Sequence, residues 1–441
     1  MRGSHPPEPA LSDVELTIED LSHDGRGVAR VDGKAWFVAG GLPGERVRAK
    51  RTAKHRQFDE AEVVEVLDAS PERVVPACPH FGTCGGCSLQ HLSPAGQIAA
   101  KHLTLLENLE RIGHVAPARV LAPLQGAPWG YRRRGRLSAK WVEKKGRMLV
   151  GFRETNGRFV AELSRCPVLH PAIGERIDAL ARTIEAMDAR REIPQVEFAV
   201  GDAQGALVFR HLVELGPADR ERLAAFGREN GLYIYLQPGG IDSVVALEPA
   251  DAALSFALPA YDVSLAFRPL DFIQVNGDIN ARMIDHALAL LDPRPEDRVL
   301  DLFCGLGNFT LPLARRCAHV TGVEGEAGLV QRARDNAARN GIANVEYHAA
   351  NLAQDQRDAP WARAKHDLIL LDPPRAGAIE VLAYLPRKDV RRVVYVSCHP
   401  ASLARDAGVL VREHGFKLAA AGVMDMFPHT AHVESIAVFE R

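Results

Sequence analysis

From Asp278 to the C-terminus, runs that suit strands alternate with runs that suit helices, and this restricts the fold more than anything else in the 441 residues. Strand-like runs occur at Arg298–Phe303, His319–Glu324, Val345–His348, Asp367–Asp372, Arg392–Ser397, Lys417–Ala421 and Glu434–Phe439. Helical stretches lie between most of them, notably Leu329–Asn340, and an amphipathic helix at Asp278–Leu291 precedes the first. Parallel strands need a crossover of a dozen or more residues, usually a helix, so the pattern predicts a mainly parallel sheet with helices on both faces. The expected class is α/β, with residues 270–441 forming a Rossmann-like domain.

Two other textures come first. Residues 14–67 hold short alternating or β-branched runs (Val14–Ile18, Ala35–Val38, Glu45–Ala49) broken by Asp24-Gly25, Asp32-Gly33, Gly40-Gly41 and Pro43-Gly44. That is the pattern of an OB-like β-barrel. Residues 74–269 mix strands and helices around clustered cysteines and read as an α+β domain. There Ser93-Pro94 marks a helix start; Ile98, His102, Leu105, Leu109 and Ile112 follow helical spacing, and Gly113 ends the run. The helix near 94–112 is expected to pack on the C-terminal domain. The stretch Val196–Asp251 offers strands and turns but no chemistry.

Composition removes alternatives and adds little. With 46% hydrophobic and 25% charged residues the chain is ordinary globular protein, which excludes collagen-like, coiled-coil and wholly disordered readings. No run approaches ~18 apolar residues, so no membrane span is expected. A net charge of −2 names no partner. Residues Met1–Asp13 are Pro-rich, lack the apolar stretch of a signal peptide and read as a disordered tail. Seven cysteines, an odd number, suit a reducing cytoplasm and metal or catalytic uses of sulfur.

Chemistry concentrates at the ends of the C-terminal strands. Asp301-Leu-Phe-Cys-Gly305-Leu-Gly307-Asn308 lies between a strand and a helix, where two glycines let the backbone turn and approach a ligand. Glu324 ends the next strand, where a carboxylate can accept ribose hydroxyls. Asp372-Pro-Pro-Arg375 fixes an acid at a later strand end. The set fits a Rossmann-like S-adenosylmethionine methyltransferase better than a nicotinamide enzyme. Cys398, in Tyr395-Val-Ser-Cys398-His-Pro400, stands at a strand-to-helix turn whose N–H groups favour a thiolate. A small buried hydrophobe is the equally weighted reading by position alone. Asp425-Met-Phe-Pro-His429-Thr-Ala-His432-Val-Glu434 packs polar residues around a Phe-Pro turn, and by spacing alone reads as a solvated loop.

Cys78-x5-Cys84-x2-Cys87 in a glycine-rich loop, with Cys166 before Pro167 as a fourth candidate, suits an iron–sulfur cluster or a structural zinc. Cys304 and Cys317 read as packing residues. Two basic runs stand out: Arg46, Arg48, Lys50, Arg51, Lys54 and Arg56, then Arg132, Arg133, Arg134, Arg136, Lys140, Lys144, Lys145 and Arg147 with Trp129, Tyr131 and Trp141 interleaved. Cations neutralise phosphates and aromatics stack on splayed bases, so both runs point to RNA.

Phe272-Ile-Gln-Val-Asn276, the Asp301–Asn308 loop, Asp372-Pro-Pro-Arg375, Val396-Ser-Cys398 and Asp425-Met-Phe-Pro-His-Thr430 with Glu434, in this order, resemble the RNA uracil-5 methyltransferase family. One departure is His399, where the family usually has Asn. The resemblance implies Cys398 as nucleophile, Glu434 as general base, and cofactor contacts from Gln274, Phe303, Asn308, Glu324, Asn351 and Asp372. It implies S-adenosyl-L-methionine as methyl donor and a 4Fe–4S cluster on Cys78, Cys84, Cys87 and Cys166. Gly25-Arg-Gly-Val-Ala29 with the barrel pattern resembles a TRAM domain, an RNA-binding module. Barrel and cysteines together resemble the bacterial branch acting on 23S ribosomal RNA, which implies a flipped uridine of a 23S rRNA loop as substrate; no obligate protein partner is evident in the sequence. The same chemistry on tRNA or a second rRNA site, and a non-catalytic RNA-binding assembly factor, are the alternatives.

Overall fold

The structure, a computed structural model, describes residues 13–155, 157–250, 253–386 and 388–441; the tail expected before Asp13 lies outside them. Two compact units result, one of the described residues up to Ala100 with His429–His432, the other of Lys101–Pro428 with Val433–Arg441.

In the first unit, six strands lie in the order Asp13–Thr17, Arg46–Lys54, Phe58–Asp68, Lys34–Ala39, Gly27–Val31, Asp20–Leu21. All neighbours are antiparallel except Lys34–Ala39 with Phe58–Asp68. Period-two alternation turns Leu16, Trp36, Val38, Val47, Ala49 and Ala61 to a shared core. The Gly25-Arg-Gly27 segment does what its sequence suggested. Gly25 has φ +85°, and a Cβ on Gly27 would stand 2.8 Å from Ile18 and 2.9 Å from the Gly41 carbonyl.

The helix Pro94–Asn108 starts where Ser93 predicts. The Ser93 hydroxyl accepts the Gly96 N–H at 3.0 Å, a cap worth ~1 kcal/mol. It ends at Gly113, through a π turn over Leu109–Gly113. That wider turn changes the helical phase, so Ile112, expected on the buried face, is exposed. At Gly113 a Cβ would lie 2.5 Å from the Ala404 carbonyl, so glycine is what lets this turn approach the helix Pro400–Arg412.

The second unit has two large sheets. One runs Val245–Glu248, Leu232–Gln237, Gly205–Arg210, Gln195–Val200, Arg134–Val142, Arg147–Gly151. The other has eight strands: Val345–Ala349, His319–Glu324, Arg298–Leu302, Leu368–Leu371, Arg392–Ser397, Glu434–Glu440, Lys417–Met424, Arg119–Val120. All seven expected strands are there, with ends shifted by at most three residues. They are parallel except Glu434–Glu440, which runs antiparallel to both neighbours. Arg119–Val120 was not foreseen, because two exposed residues carry no strand pattern; they pair with Ala420 and Ala421. Helices cover both faces, so central strands such as Leu368–Leu371 are wholly buried. Val208 and Tyr235 of the first sheet share a core cluster with Met283, Val299 and Val438. No helix among the described residues is long and apolar enough to cross a membrane.

Candidate active site

Strand order alone brings the central residues together. Leu368–Leu371, Arg392–Ser397 and Glu434–Glu440 are successive neighbours in the sheet. Asp372 follows the first, Cys398 follows the second, and Glu434 opens the third. Because the third strand is reversed, its first residue lies at the carboxyl edge of the others. Ser435 pairs with Ser397, so Glu434 and Cys398 come level across strands ~4.8 Å apart.

Burial then sets their charge. Glu434 is 3% exposed, and desolvation, with the Asp372 carboxylate second, lifts its pKa to about 8. Desolvation raises Asp372 to about 7. The Cys398 thiol is pushed up to about 11 by burial first, then by Glu434 and Asp372; Arg375 pulls the other way without prevailing. This corrects the expectation that the helix N-terminus would favour a thiolate: burial and two carboxylates outweigh it. The solvated-loop reading of the segment before the last strand is also overturned, since Asp425, Met426, His429, Thr430 and Glu434 are all buried.

His399 caps the helix Pro400–Arg412. Its Nδ1 accepts the Ser402 N–H at 3.3 Å, the bond an Asn side-chain oxygen would make in that place. The departure at this position therefore leaves the cap intact. Behind Cys398, the fully buried Asp406 accepts from Tyr395 Oη at 2.7 Å and from the Ala378 N–H at 2.7 Å. It ties the strand, the helix and the loop after Asp372 together, and no local sequence signal marked it.

Of the expected cofactor residues, Phe303, Asn308, Glu324, Asn351 and Asp372 end or follow parallel strands at the same edge. Glu324 accepts the Gly305 N–H at 3.1 Å and the Glu326 N–H at 3.0 Å, so it braces the glycine loop. Phe303 holds φ +66°, a left-handed backbone rare for an aromatic residue, as the chain leaves the strand. Asn308 and Asn280 exchange amide bonds at 2.8 and 3.0 Å. Asn351 is exposed, and its Oδ1 accepts the Ala353 N–H. Gln274, with Arg133, Asp202, Asp278 and Asn280, lines a cavity of ≈ 220 Å³. Asp301, fully buried, is raised to about 7 by desolvation; Thr310 Oγ1 donates to its Oδ2 at 2.5 Å while Oδ1 has no partner among the described residues. Strand-end acids, a turning glycine loop and an unfilled buried acceptor suit a cationic, ribose-bearing ligand.

These shifts predict a stability profile. Asp301, Asp372 and Glu434 are held above the ordinary carboxylate range near ~4, so the folded chain favours their neutral forms. Their contribution is fully present below ~4 and is lost as pH rises through about 7 to 8. Thermal unfolding of the ligand-free protein is expected to show a midpoint falling between about pH 6 and about pH 9, with a shallower fall in Glu434→Gln. A midpoint that rises over that interval in the wild type would contradict the burial argument.

Cys78, Cys84 and Cys87 sit half-buried in a loop of turns in the first unit, and Cys166 is half-buried in the second. Among the described residues no three His, Cys, Asp or Glu side chains form a group that could hold a metal ion. Cys304 and Cys317 are buried core residues, as expected.

The basic runs are partly used up inside the protein. Arg46 pairs with Asp68 at 2.8 Å and Arg48 with Glu65 at 2.5 Å. Arg134 and Arg136 hold Glu197, and Arg134 also donates to the Leu270 and Asp271 carbonyls. Tyr131 donates to the Pro428 carbonyl, and Trp141 lies under Arg190 and Arg191. Arg134 and Tyr131 are thereby committed to the buried Glu197 and to backbone carbonyls, whereas Arg46, Arg48 and Arg136 stay solvent-exposed in their pairs. Lys50, Lys54, Arg56, Lys140 and Lys144 are exposed and make no ion pair among the described residues.

Comparison with known proteins identifies the family. The tRNA (Uracil-5-)-methyltransferase family model matches residues 257–441, and the TRAM domain model matches residues 12–64. Proteins named 23S rRNA (uracil(1939)-C(5))-methyltransferase RlmD from Xanthomonas oryzae pv. oryzae and Stenotrophomonas maltophilia are 62% identical over 430 residues, 97% of each chain. The crystal structure of Pyrococcus abyssi tRNA (uracil-54, C5)-methyltransferase in complex with S-adenosyl-L-homocysteine superposes with a TM-score of 0.73. It is 23% identical and covers 97% of this chain and all of its own, which shows a shared fold. The chain therefore belongs to the RNA uracil-5 methyltransferase family, on the branch of the TRAM-containing 23S rRNA (uracil-C5)-methyltransferases.

Proposed function

We propose that this chain methylates C5 of one uridine in 23S ribosomal RNA, with S-adenosyl-L-methionine as methyl donor. The observation that carries the reading is a thiol and a carboxyl level with each other at the ends of adjacent strands, Cys398 and Glu434. Uracil C5 is a weak nucleophile. Addition of the Cys398 sulfur to C6 pushes an electron pair through the C5–C6 bond toward the C4 carbonyl, and C5 becomes an enolate carbon. A thiol with a raised pKa is harder to ionise but more nucleophilic once ionised. When bound, S-adenosyl-L-methionine supplies an electrophilic methyl on a sulfonium. Glu434, as carboxylate, then takes the C5 proton; the C5–H pair reforms the double bond and the Cys398 sulfur leaves. Glu324, Asp372, Asn351, Asn308, Phe303 and Gln274 would hold the donor. The uridine is flipped out of its stack, since C6 is out of reach within stacked RNA.

We further infer a division of labour, with residues 14–67 gripping RNA, residues 74–269 forming a central domain, and residues 270–441 performing the transfer. Exposed Lys50, Lys54 and Arg56 support the first assignment. The test is methylation of 23S and tRNA transcripts side by side. Transfer to one uridine of 23S rRNA alone is expected; transfer to tRNA alone would replace the substrate assignment.

A 4Fe–4S cluster on Cys78, Cys84, Cys87 and Cys166 completes the proposal. Its support is the donor chemistry: three soft thiols within ten residues of a glycine-rich loop, and a fourth half-buried. Protein purified without oxygen is expected to hold ~4 iron and ~4 acid-labile sulfide per chain, and Cys84→Ser to lose most of both. Colourless protein containing one zinc would contradict the iron assignment.

A further inference from the structure

Lys101 is the one Lys or Arg that is buried among the described residues, at 2% exposure. Its ammonium meets the Asp425 carboxylate at 2.6 Å and donates to the Phe427 carbonyl at 3.0 Å. Burial draws its pKa down while Asp425 opposes the shift. Taking two charges out of water is expensive, and an apolar pair of similar volume often serves stability as well or better. A buried pair of this kind is better explained by what it holds in place.

What it holds is the chain leading to Glu434. Met424 and Glu434 are cross-strand partners, and Asp425 is the first residue beyond that pairing. The segment is fastened by Asp425 N–H to the Leu124 carbonyl at 2.8 Å, by Met426 N–H to the Met424 carbonyl at 2.9 Å, and by Tyr131 Oη to the Pro428 carbonyl at 3.1 Å. Lys101 adds two more contacts, and it is the only fully charged clamp among them. The Glu434 carboxyl makes no hydrogen bond among the described residues, so the backbone around it sets where it points.

We infer that Lys101, acting through Asp425, is a positioning residue that fixes Glu434 for removal of the C5 proton. The inference rests on the reading of Glu434 as general base. It makes a distinction between reaction steps. Addition of Cys398 and methyl transfer do not use Glu434 as base, whereas resolution of the adduct does. Loss of the clamp should slow the last step selectively.

The experiment follows wild type, Lys101→Met, Asp425→Asn and Glu434→Gln in single turnover with labelled methyl donor and a 23S transcript. It reads methyl incorporation, the fraction of enzyme covalently attached to RNA on a denaturing gel, and thermal midpoints. Lys101→Met is expected to keep single-turnover methyl incorporation within ~3-fold of wild type and to accumulate the methylated adduct; in a parallel steady-state assay kcat and KM should fall together by ~10- to 100-fold, with kcat/KM little changed. Asp425→Asn, nearly isosteric, should do the same, and it carries the test if Lys101→Met does not fold. A merely structural Lys101 would lower the midpoint and slow every step alike without adduct. Adduct in Glu434→Gln but in neither clamp variant overturns the inference. Free product release from Glu434→Gln overturns the base assignment and the inference with it.

Discussion

Cys398→Ala is expected to bind its RNA with nearly unchanged affinity and to transfer no measurable methyl. The expected loss of turnover is on the order of 10⁴-fold or more, as when a covalent nucleophile is removed from a set of groups that act as a unit. The magnitude follows from the substrate. Without sulfur at C6, uracil C5 has no enolate character, and no other described side chain stands where Cys398 does at the end of its strand. Binding should survive because the thiol is a small part of the site and the cap at His399 does not depend on it. Filter binding alongside methyl transfer checks both halves. Turnover within ~10-fold of wild type would remove the nucleophile from the account.

Glu434→Gln is expected to fail at the opposite end of the reaction. Glutamine keeps the shape of the side chain but cannot accept the proton, so the sulfur cannot leave and the enzyme should end covalently attached to methylated RNA. Turnover should fall by ~10² to 10⁴, the span usual for a general base. In the wild type the same group should shape the pH profile. Glu434 must be ionised to act, and burial holds its pKa at about 8. The rate of adduct resolution should therefore rise with pH through about 8 and level off above it. A flat profile between about pH 6 and about pH 9 would mean that another group accepts the proton.

Much of this was legible in the residues. Seven of the eight strands of the large sheet were legible because each is a short apolar run, most of them separated by helical stretches, as a sheet buried on both faces demands. Asp372, Cys398 and Glu434 were visible individually, each at a strand end. Their pairing needed the strand order, above all the reversal of Glu434–Glu440, which a local pattern does not encode. Other features depended on contacts between residues far apart in sequence. Lys101 looks like one more charge on a helix until Asp425 is placed beside it. Arg134 looks like part of an RNA surface until Glu197 and the Leu270 and Asp271 carbonyls claim it. The thiol of Cys398 shows the same limit: the helix N-terminus is written in the local sequence, while the burial that outweighs it, and the two carboxylates that add to it, come from other parts of the fold.

The central claim is a transient bond between Cys398 sulfur and uracil C6, and a substrate with fluorine at C5 tests it most directly. Fluorine cannot leave as a cation, so a base cannot resolve the methylated adduct. Incubated with S-adenosyl-L-methionine and 5-fluorouridine-substituted 23S transcript, the wild-type protein should become attached to RNA in denaturing gels, and digestion with mass spectrometry should place one methylated fluorouridine on Cys398. Turnover of normal transcript by the same preparation, with no covalent species on the fluorinated one, would contradict the account.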